Sequence, residues 1–273
     1  MTLYYVQLFI NGLIAGSVYA LFAVGLTLIY GVCRFINFAH GELITWGAYL
    51  TLLFASPPFG LSLAAAALPA LGITAAIGLA QDWLVYRPLR RRSSISLLIA
   101  SIGLAYFLRN VIRFFWGSDL MTFDLSLSRG IMVAGLFVTR TQLMMVAAAL
   151  FFMTVLWLVL TRTHLGKSLR AVSDHPELAE IMGIDLKRVY ATVWILASLF
   201  AGAGGILLAL DTNLEPLMGL TNLIKAFAAV LLGGAGNVWG ALFGGLIIGV
   251  AENLGVAVFS TGYKDLVAFA VIF

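Results

Sequence analysis

The stretch from Thr161 to Arg188, TRTHLGKSLRAVSDHPELAEIMGIDLKR, is a polar segment in a chain that is otherwise strongly apolar. It contains five of the sixteen basic residues and four of the twelve acidic ones. Long apolar runs flank it on both sides, and runs of that length are typical of lipid-embedded or deeply buried segments. The stretch is therefore expected to be a polar loop between hydrophobic helices.

A short helix is predicted inside this loop. Asp174 is expected to cap its start, because an aspartate side chain accepts hydrogen bonds from free backbone N–H groups. Pro176 suits the first turn, and Glu177 is favoured at the positive end of the helix dipole. Gly183 supplies the left-handed residue that ends a helix. These signals predict about two helical turns between Pro176 and Gly183.

The short helix carries a narrow apolar stripe formed by Leu178, Ile181 and Met182, which follow the i, i+3, i+4 spacing. Helices of this length are marginal in water, so another surface must hold it. The two candidates are the lipid headgroups and a groove on another protein. An interfacial anchor is usually rich in Lys and Arg with a wide apolar face, which this mixed-charge segment lacks. Docking into a protein groove is therefore favoured.

Composition defines the class of protein. The 273 residues are 62% hydrophobic and 10% charged, with a mean hydropathy of +1.04. A soluble domain carries about a quarter charged residues, so the chain is predicted to be a polytopic membrane protein. The net charge of +4 reflects loop Lys and Arg and is no evidence for nucleic-acid binding. The single cysteine, Cys33, excludes an intrachain disulfide and a CxxC metal site.

The predicted fold is all-α, with about eight transmembrane helices in a single permease domain spanning 1–273. Two of the apolar runs, 40–55 and 223–235, are short, and we expect them to be broken or re-entrant. The predicted segments are 5–31, 40–55, 61–85, 94–117, 141–161, 190–210, 223–235, 240–260 and 263 onward.

Basic residues predict the orientation. Arg34, the four arginines of 87–92 and the five basic residues of 162–188 make up ten of the sixteen. The positive-inside rule places them in the cytoplasm, which makes 162–189 a cytoplasmic loop, 118–140 an extracytoplasmic loop, and the N-terminus external. Two further arginines near the outer end of the segment 94–117 are expected to snorkel towards the headgroups: Arg109 and Arg113.

Both halves of the chain contain a polar or glycine-rich interruption. GVCRFINFAHGELITWGAYL spans 31–50, and VLLGGAGNVWGALFGGLIIGVAENL spans 230–254. Paired interruptions indicate a transport path at the interface of inverted repeats, so 31–55 and 222–260 are expected to superpose with inverted topology. For the glycines alone, as in Gly240-xxx-Gly244 and Gly245-xxx-Gly249, close helix packing is the favoured interpretation.

Polar residues in and beside these interruptions are candidates for the translocation path, because polar groups at membrane depth are costly. The alternative for each is structural: Asn237 caps the helix that follows it, and Glu252 pairs with a donor on another helix. His40 and Glu42 also leave a proton relay open, although a buried histidine is more often a hydrogen-bonded structural residue. The candidates are Asn37, His40, Glu42, Asn237, Glu252 and Asn253.

Enzymatic functions are disfavoured. The chain contains no H-E-x-x-H, no G-x-S-x-G and no P-loop, since Gly166-Lys167-Ser168 lacks the upstream glycine loop. We therefore expect no catalytic residues, no metal site and no ATP hydrolysis by this chain.

Several motifs together resemble the Liv-type permeases, the membrane subunits of ABC importers for branched-chain amino acids. INFAHGE at 36–42 followed by GG-x-G-x-x-x-G-A in the second half is a specific combination, and the similarity runs from about residue 6 to 273. YRPLR at 86–90, GKSLRAVSDHPELAEIMGID at 166–185 and KAFAAVLLGGAGNVWGALFGGLIIGVAENL at 225–254 also look like that family.

The resemblance implies that the polar loop docks into a cleft on a cytoplasmic ATPase, which holds the ATP and Mg²⁺ while this chain holds no cofactor. It also implies an external amino-acid-binding protein, a second related permease subunit, and a multi-pass location in the inner membrane of a bacterium or archaeon. The residues it assigns to ATPase coupling are Asp174, Glu177, Leu178, Ala179, Met182, Gly183 and Ile184.

The implied cargo is a branched-chain or other hydrophobic amino acid. A related permease for urea, amides or sugars, and a secondary transporter driven by protons through His40 and Glu42, remain as alternatives. The sequence leaves the exact cargo open, because selectivity is expected to reside in the separate binding protein.

Overall fold

The computed structural model describes residues 2–90, 92–123, 130–133, 135–257, 266 and 270. The expected segment from 263 onward therefore lies outside the described residues, apart from two positions. Arg91 and parts of the loop 118–140 also lie outside the described residues.

In chain order the elements are α1 (Thr2–Cys33), α2 (His40–Ala55), α3 (Leu63–Gln81), a π-helical turn (Asp82–Tyr86), α4 (Arg87–Leu89), α5 (Ser94–Trp116), β1 (Ile131–Val133), β2 (Leu136–Val138), α6 (Arg140–Arg162), α7 (His164–Asp174), α8 (Pro176–Ile181), α9 (Leu186–Asp211), α10 (Met218–Gly233) and α11 (Val238–Gly255).

The predicted all-α membrane class is confirmed. Within the described part of the chain, six helices are long and apolar enough to cross a bilayer: α1, α3 with its extension to Leu89, α5, α6, α9 and α11. The helices α2 and α10 have 16 residues each, and they correspond to the two apolar runs, 40–55 and 223–235, that were predicted to be short. The only strands among the described residues pair as a small antiparallel ribbon in the loop 118–140.

Polar contacts sort the loops into two groups. At one end, Arg34 donates to the carbonyl of Ser173 at 2.8 Å, and the N–H of Gly236 donates to Thr27 at 2.9 Å. Away from these, backbone hydrogen bonds pair Met121 with Leu214 in the isolated bridge between 118–140 and the α9–α10 connection. These contacts place the α1–α2, α6–α9 and α10–α11 connections at one end of the bundle and the α5–α6 and α9–α10 connections at the other.

The first interruption places the start of α2 deep inside the protein. Nε2 of His40 lies 3.2 Å from the carbonyl oxygen of Phe22. Phe22 precedes the end of α1 by eleven residues, about 16 Å at 1.5 Å per residue. The segment 34–39 therefore folds back along α1 before α2 begins. The first turn of α10 packs at the same level, since a Cβ on Gly41 would lie 2.7 Å from the carbonyl oxygen of Gly219.

Glycines in α11 allow two close helix contacts, so the packing interpretation of these glycines is confirmed. A Cβ on Gly249 would overlap the backbone of Gly16 in α1, and one on Gly245 would lie 2.5 Å from the backbone of Ala20. On the other face, side chains at Gly240 and Gly244 would overlap the backbone of α10. Because α11 is held between α1 and α10, the polar groups of these three helices are brought together.

Candidate functional site

A cavity of about 580 Å³ lies where α1, α10 and α11 converge with the ends of α6 and α9. Its rim includes Leu120, Thr212 and Glu215, which belong to the loops on the Met121–Leu214 side. Its floor includes Tyr19, near the middle of the 32-residue helix α1. The cavity therefore extends from one end of the helix bundle to about half its depth. Its size is within the range of small-molecule pockets, roughly 300–1,000 Å³.

Three ionisable side chains meet at the floor of this cavity, one from each of α1, α10 and α11. Nζ of Lys225 donates to Oε1 of Glu252 at 2.8 Å and to the hydroxyl of Tyr19 at 3.2 Å. The side chains of Lys225 and Glu252 are 12% and 3% exposed. Such groups are stable at membrane depth only when they are paired. The expectation that Glu252 pairs with a donor on another helix is thus confirmed for one of its oxygens.

The second carboxylate oxygen of Glu252 is different. Oε2 is buried and has no hydrogen-bond partner among the described residues. Asn253, the next residue, also lines the cavity, and its amide donates to the carbonyl of Gly249 in its own helix at 3.0 Å. Among the described residues, the floor therefore contains one buried acceptor without a donor, beside the ammonium group of Lys225.

The cavity combines this polar floor with an apolar side and with further polar residues towards the rim, among them Asp211, Asn213 and Glu215. The apolar side is formed by residues of α1, α6, α9 and α10, and includes Ile14, Val18, Met145, Leu208 and Met218. Pockets of this kind hold small amphipathic molecules, because a few convergent polar groups fix their orientation while the apolar wall covers their hydrocarbon part.

A second cavity of about 210 Å³ lies at the opposite end of the bundle, between α1, α6, α7 and the α10–α11 connection. Asn237 lines it, and its side-chain oxygen accepts from the N–H of Gly240 at 3.1 Å. The alternative interpretation, in which Asn237 caps the helix that follows it, is therefore confirmed. Gly31 and Ser173 also line this cavity, which places it directly beside the polar loop.

Asn37 and His40 are fully buried and line neither of these two cavities. Oδ1 of Asn37 accepts from the N–H of Ala39 at 3.0 Å and from the hydroxyl of Tyr86 at 2.8 Å. These hydrogen bonds fix the interruption 34–39 against the π-helical turn after α3. His40 contacts the backbone of α1 through Phe22 and thereby fixes the start of α2.

Glu42 forms a buried ion pair with Arg109 of α5, and both side chains are almost completely inaccessible. The prediction that Arg109 snorkels to the headgroups is wrong. Its guanidinium instead turns inwards, because the carboxylate of Glu42 provides a buried counter-charge that compensates for the loss of hydration. The pair ties α2 to α5 next to the interruption 34–39.

Breaking this pair should destabilise the protein strongly. Glu42→Gln leaves the Arg109 charge buried without its counter-ion, at a cost of about 3–5 kcal/mol. We expect a large fall in the thermal denaturation temperature of the detergent-solubilised protein. The double substitution Glu42→Gln, Arg109→Met should recover much of the loss, since no unpaired charge remains. Equal temperatures for Glu42→Gln and the wild type would contradict this account.

The polar loop forms a protrusion made of α7 and α8. Gly183 has the predicted left-handed backbone, with φ of +86°. The prediction that Asp174 caps the short helix is wrong, because Asp174 is the last residue of α7 and His175 precedes α8 without a side-chain capping bond. α7 extends to Asp174 because its buried face, formed by Leu169 and Val172, continues to pack against the bundle.

The apolar stripe of α8 is exposed. Leu178, Ile181 and Met182 are 56%, 80% and 76% exposed, and among the coupling candidates Ala179 is buried beneath them. The N–H of Ile184 donates to the carbonyl of Ala179 at 3.0 Å, which closes the turn after α8. The stripe is therefore presented outwards on a small, internally braced helix, with Glu177 exposed at its first turn.

The protrusion is connected to the first interruption. Ser173, at the end of α7, donates through Oγ to the carbonyl of Gly31 at 2.8 Å. Arg34 adopts a left-handed backbone conformation, with φ of +53°, and its side chain contacts the carbonyl groups of Ser173 and Asp174. These hydrogen bonds join the end of α7 to the end of α1 and to Arg34.

Sequence reasoning missed Lys225 and Tyr19. A usable signal existed for Lys225, because it is a single lysine inside the apolar run of α10 and a buried lysine needs an acidic partner. Glu252 is the only acidic residue in α11 and the natural candidate for that partner. Tyr19 carried no such signal, since a tyrosine in an apolar helix is not unusual.

Comparisons with known proteins agree with this architecture. The family model described as branched-chain amino acid transport system / permease component matches residues 8–273. The high-affinity branched-chain amino acid transport system permease protein LivH of Salmonella typhi is 33% identical, over 99% of this chain and 92% of that protein. BraD of Pseudomonas aeruginosa, which has the same description, is 32% identical over 98% and 92% of the two chains. A probable branched-chain amino acid transport permease protein LivH of Methanocaldococcus jannaschii is 32% identical over 89% and 79%.

Proposed function

Because the chain belongs to the family of permease components of branched-chain amino acid transport systems, we propose that its cavity of about 580 Å³ is the entrance of the path for the amino acid, and we call it the outer cavity because its rim is proposed to face outside the cell. The chain is a membrane permease of an ABC import system, in a family whose members are transporters and not enzymes. The observation that carries the proposal for the path is the cavity of about 580 Å³, which joins a polar floor at mid-depth to an apolar wall.

The cargo proposed for this chain is a branched-chain or other hydrophobic amino acid, as the names of the full-length relatives indicate. The apolar side of the cavity suits an aliphatic side chain. Glu252 and Asn253 act at the floor of this entrance, and Asn237 acts at the exit, where the 210 Å³ cavity lies beside the polar loop. Asn37, His40 and Glu42 contribute by fixing the start of α2 between the two cavities.

The proposed membrane orientation places the protrusion in the cytoplasm of the cell, the N-terminus and the cavity rim outside, and the chain in the inner membrane. Basic residues among the described part of the chain support this orientation, because Arg34 contacts Ser173 at the end of α7 and Arg90 lies over the ring of Tyr190 at the start of α9, both on the protrusion side. An external binding protein would deliver the amino acid at the rim formed by Thr212 and Glu215. A second, related permease subunit would complete the membrane core as a heterodimer.

The surface proposed to receive the ATPase is the exposed stripe of α8. Leu178 and Met182 supply the apolar contact, Asp174 and Glu177 supply the acidic edge, and Ala179, Gly183 and Ile184 give the helix its rigid shape. ATP and Mg²⁺ are bound by that partner. The hydrogen bonds from Ser173 and Arg34 support a mechanical connection from this surface to the interruption 34–39.

Reconstitution tests the function. Proteoliposomes with this chain, its second permease subunit, the ATPase and the binding protein should accumulate leucine when ATP is supplied on the ATPase side. Omission of the ATPase or the binding protein should abolish uptake. Leucine uptake by this chain alone in a proton gradient would instead support the secondary transporter, which the burial of His40 away from both cavities disfavours.

A further inference from the structure

The ion pair at the floor of the outer cavity combines two features that a purely structural pair does not need. It lines a cavity large enough for a small molecule, and one of its carboxylate oxygens has no hydrogen-bond partner within the part of the chain that the structure describes. Oε1 of Glu252 accepts from Lys225, whereas Oε2 is buried without a partner among the described residues. A buried carboxylate oxygen in that state is expected to accept a hydrogen bond from a bound group.

We propose that Glu252 and Lys225 form a binding site for the zwitterionic head of an α-amino acid, with the ammonium group on Glu252 and the carboxylate on Lys225. This inference rests on the proposed function of the cavity as the substrate entrance. It names the groups that recognise the substrate inside the membrane, separately from the binding protein that captures it.

The charges of the site match a zwitterion. Nζ of Lys225 and Oε1 of Glu252 are 2.8 Å apart, so the site presents one positive and one negative group side by side. An α-amino acid carries its ammonium and carboxylate on the same carbon and presents the opposite arrangement. When the zwitterion binds, two internal charges and two substrate charges form complementary pairs, so no charge remains unpaired at membrane depth.

Neighbouring residues orient the substrate. The hydroxyl of Tyr19 accepts a hydrogen bond from Lys225 at 3.2 Å. It therefore holds the ammonium group of this lysine at the floor when Glu252 also pairs with the ammonium group of the substrate. Ile14 and Val18, which precede Tyr19 on α1, form the nearby apolar wall together with Leu208 of α9. The head of the amino acid then lies at the floor, and its aliphatic side chain lies against this wall.

The site also explains which solutes would be excluded. Urea, amides and sugars are uncharged. If one of them bound between Glu252 and Lys225, it would break their ion pair without supplying charges to compensate for it. A fatty acid or an aliphatic amine would introduce a single unpaired charge. Buried polar groups that lose their partners impose a strong penalty, and this penalty gives large discrimination between otherwise similar solutes.

Charge-neutralising variants of the complete transporter provide the test. In proteoliposomes that contain all four kinds of subunit, Glu252→Gln and Lys225→Met should each reduce the initial rate of leucine uptake by about tenfold or more, equivalent to about 1.4 kcal/mol. The matched control is Asp82→Asn, which removes one member of the Arg90–Asp82 pair, neither residue of which lines either cavity. It should retain uptake close to that of the wild type.

The charge swap separates binding from structural stabilisation. Lys225→Glu combined with Glu252→Lys restores an internal ion pair, so the thermal denaturation temperature should return towards the wild-type value. Uptake should remain low, because the ammonium and carboxylate positions are exchanged relative to the apolar wall. Wild-type uptake by the swapped protein, or by Glu252→Gln, would overturn the proposed site.

A protection experiment does not depend on these charge variants. Asn253→Cys, in a Cys33→Ser background, places a thiol in the cavity next to Glu252. Millimolar leucine should slow its alkylation several-fold in the complex without the binding protein, whereas 4-methylpentanoate and isoamylamine should not. Equal effects of all three solutes would overturn the site. A wild-type complex that fails to transport leucine would instead overturn the proposed function itself.

Discussion

Leu178→Asp should reduce leucine uptake by the assembled transporter to less than about a tenth of the wild-type rate while this chain remains folded. Leu178 is 56% exposed on α8, so the fold does not depend on its burial. In the proposed complex the side chain enters an apolar groove of the ATPase. An aspartate there would bring an unpaired charge into a desolvated contact, which costs several kcal/mol.

Three measurements separate uncoupling from misfolding. The thermal denaturation temperature of the purified chain should be unchanged, co-purification of the ATPase should be weakened, and ATP hydrolysis should no longer respond to the loaded binding protein. Lys187→Gln is the matched control, because it also makes the net charge of the loop more negative by one, at an exposed position outside the stripe. Normal uptake by Leu178→Asp would remove α8 from the coupling surface.

Gly249→Leu should abolish assembly of the membrane domain. A Cβ at this position would overlap the backbone of Gly16, so the larger side chain forces α11 away from α1. Overpacking of a rigid helix contact costs about 3 kcal/mol or more, because backbone atoms cannot move aside as a flexible side chain can. Separation of these helices would also move Glu252 of α11 away from Tyr19 of α1.

Gly103→Leu is the matched control for this substitution. Gly103 lies on the exposed face of α5, and a Cβ there would meet nothing within 4 Å. We expect Gly103→Leu to give a monodisperse peak in detergent size-exclusion chromatography at the wild-type position. Gly249→Leu should give aggregated protein or none. Similar elution of the two variants would show that the α1–α11 contact tolerates a side chain.

Hydrophobic runs and glycines in the sequence predicted much of the fold. The apolar segments up to residue 260 correspond to observed helices, because each is long enough to satisfy its own backbone hydrogen bonds in lipid. Gly245-xxx-Gly249 and Gly240-xxx-Gly244 predicted close packing, although the sequence did not show that they face different neighbours, α1 and α10. That assignment depends on the rotation of α11 about its own axis, which only tertiary packing fixes.

Long-range polar pairs were much harder to predict. Arg109 lies 67 positions from Glu42, and Lys225 lies 206 positions from Tyr19. Local sequence patterns predict how deep such a residue lies in the membrane, but they do not predict which helix its side chain faces. The predicted Asp174 cap failed for a related reason, since α7 packs against the bundle and continues through Asp174, so that this residue ends one helix instead of capping the next.

Labelling from each side of the membrane tests the central claim that α8 couples a cytoplasmic ATPase to a cavity that opens outside. Leu178→Cys and Asn213→Cys, each in a Cys33→Ser background, place one thiol on the stripe and one at the cavity rim. A membrane-impermeant maleimide should label Asn213→Cys in right-side-out vesicles. It should label Leu178→Cys only in inside-out vesicles, and bound ATPase should block that reaction. Labelling of Leu178→Cys in right-side-out vesicles, or labelling unaffected by the ATPase, would contradict the account.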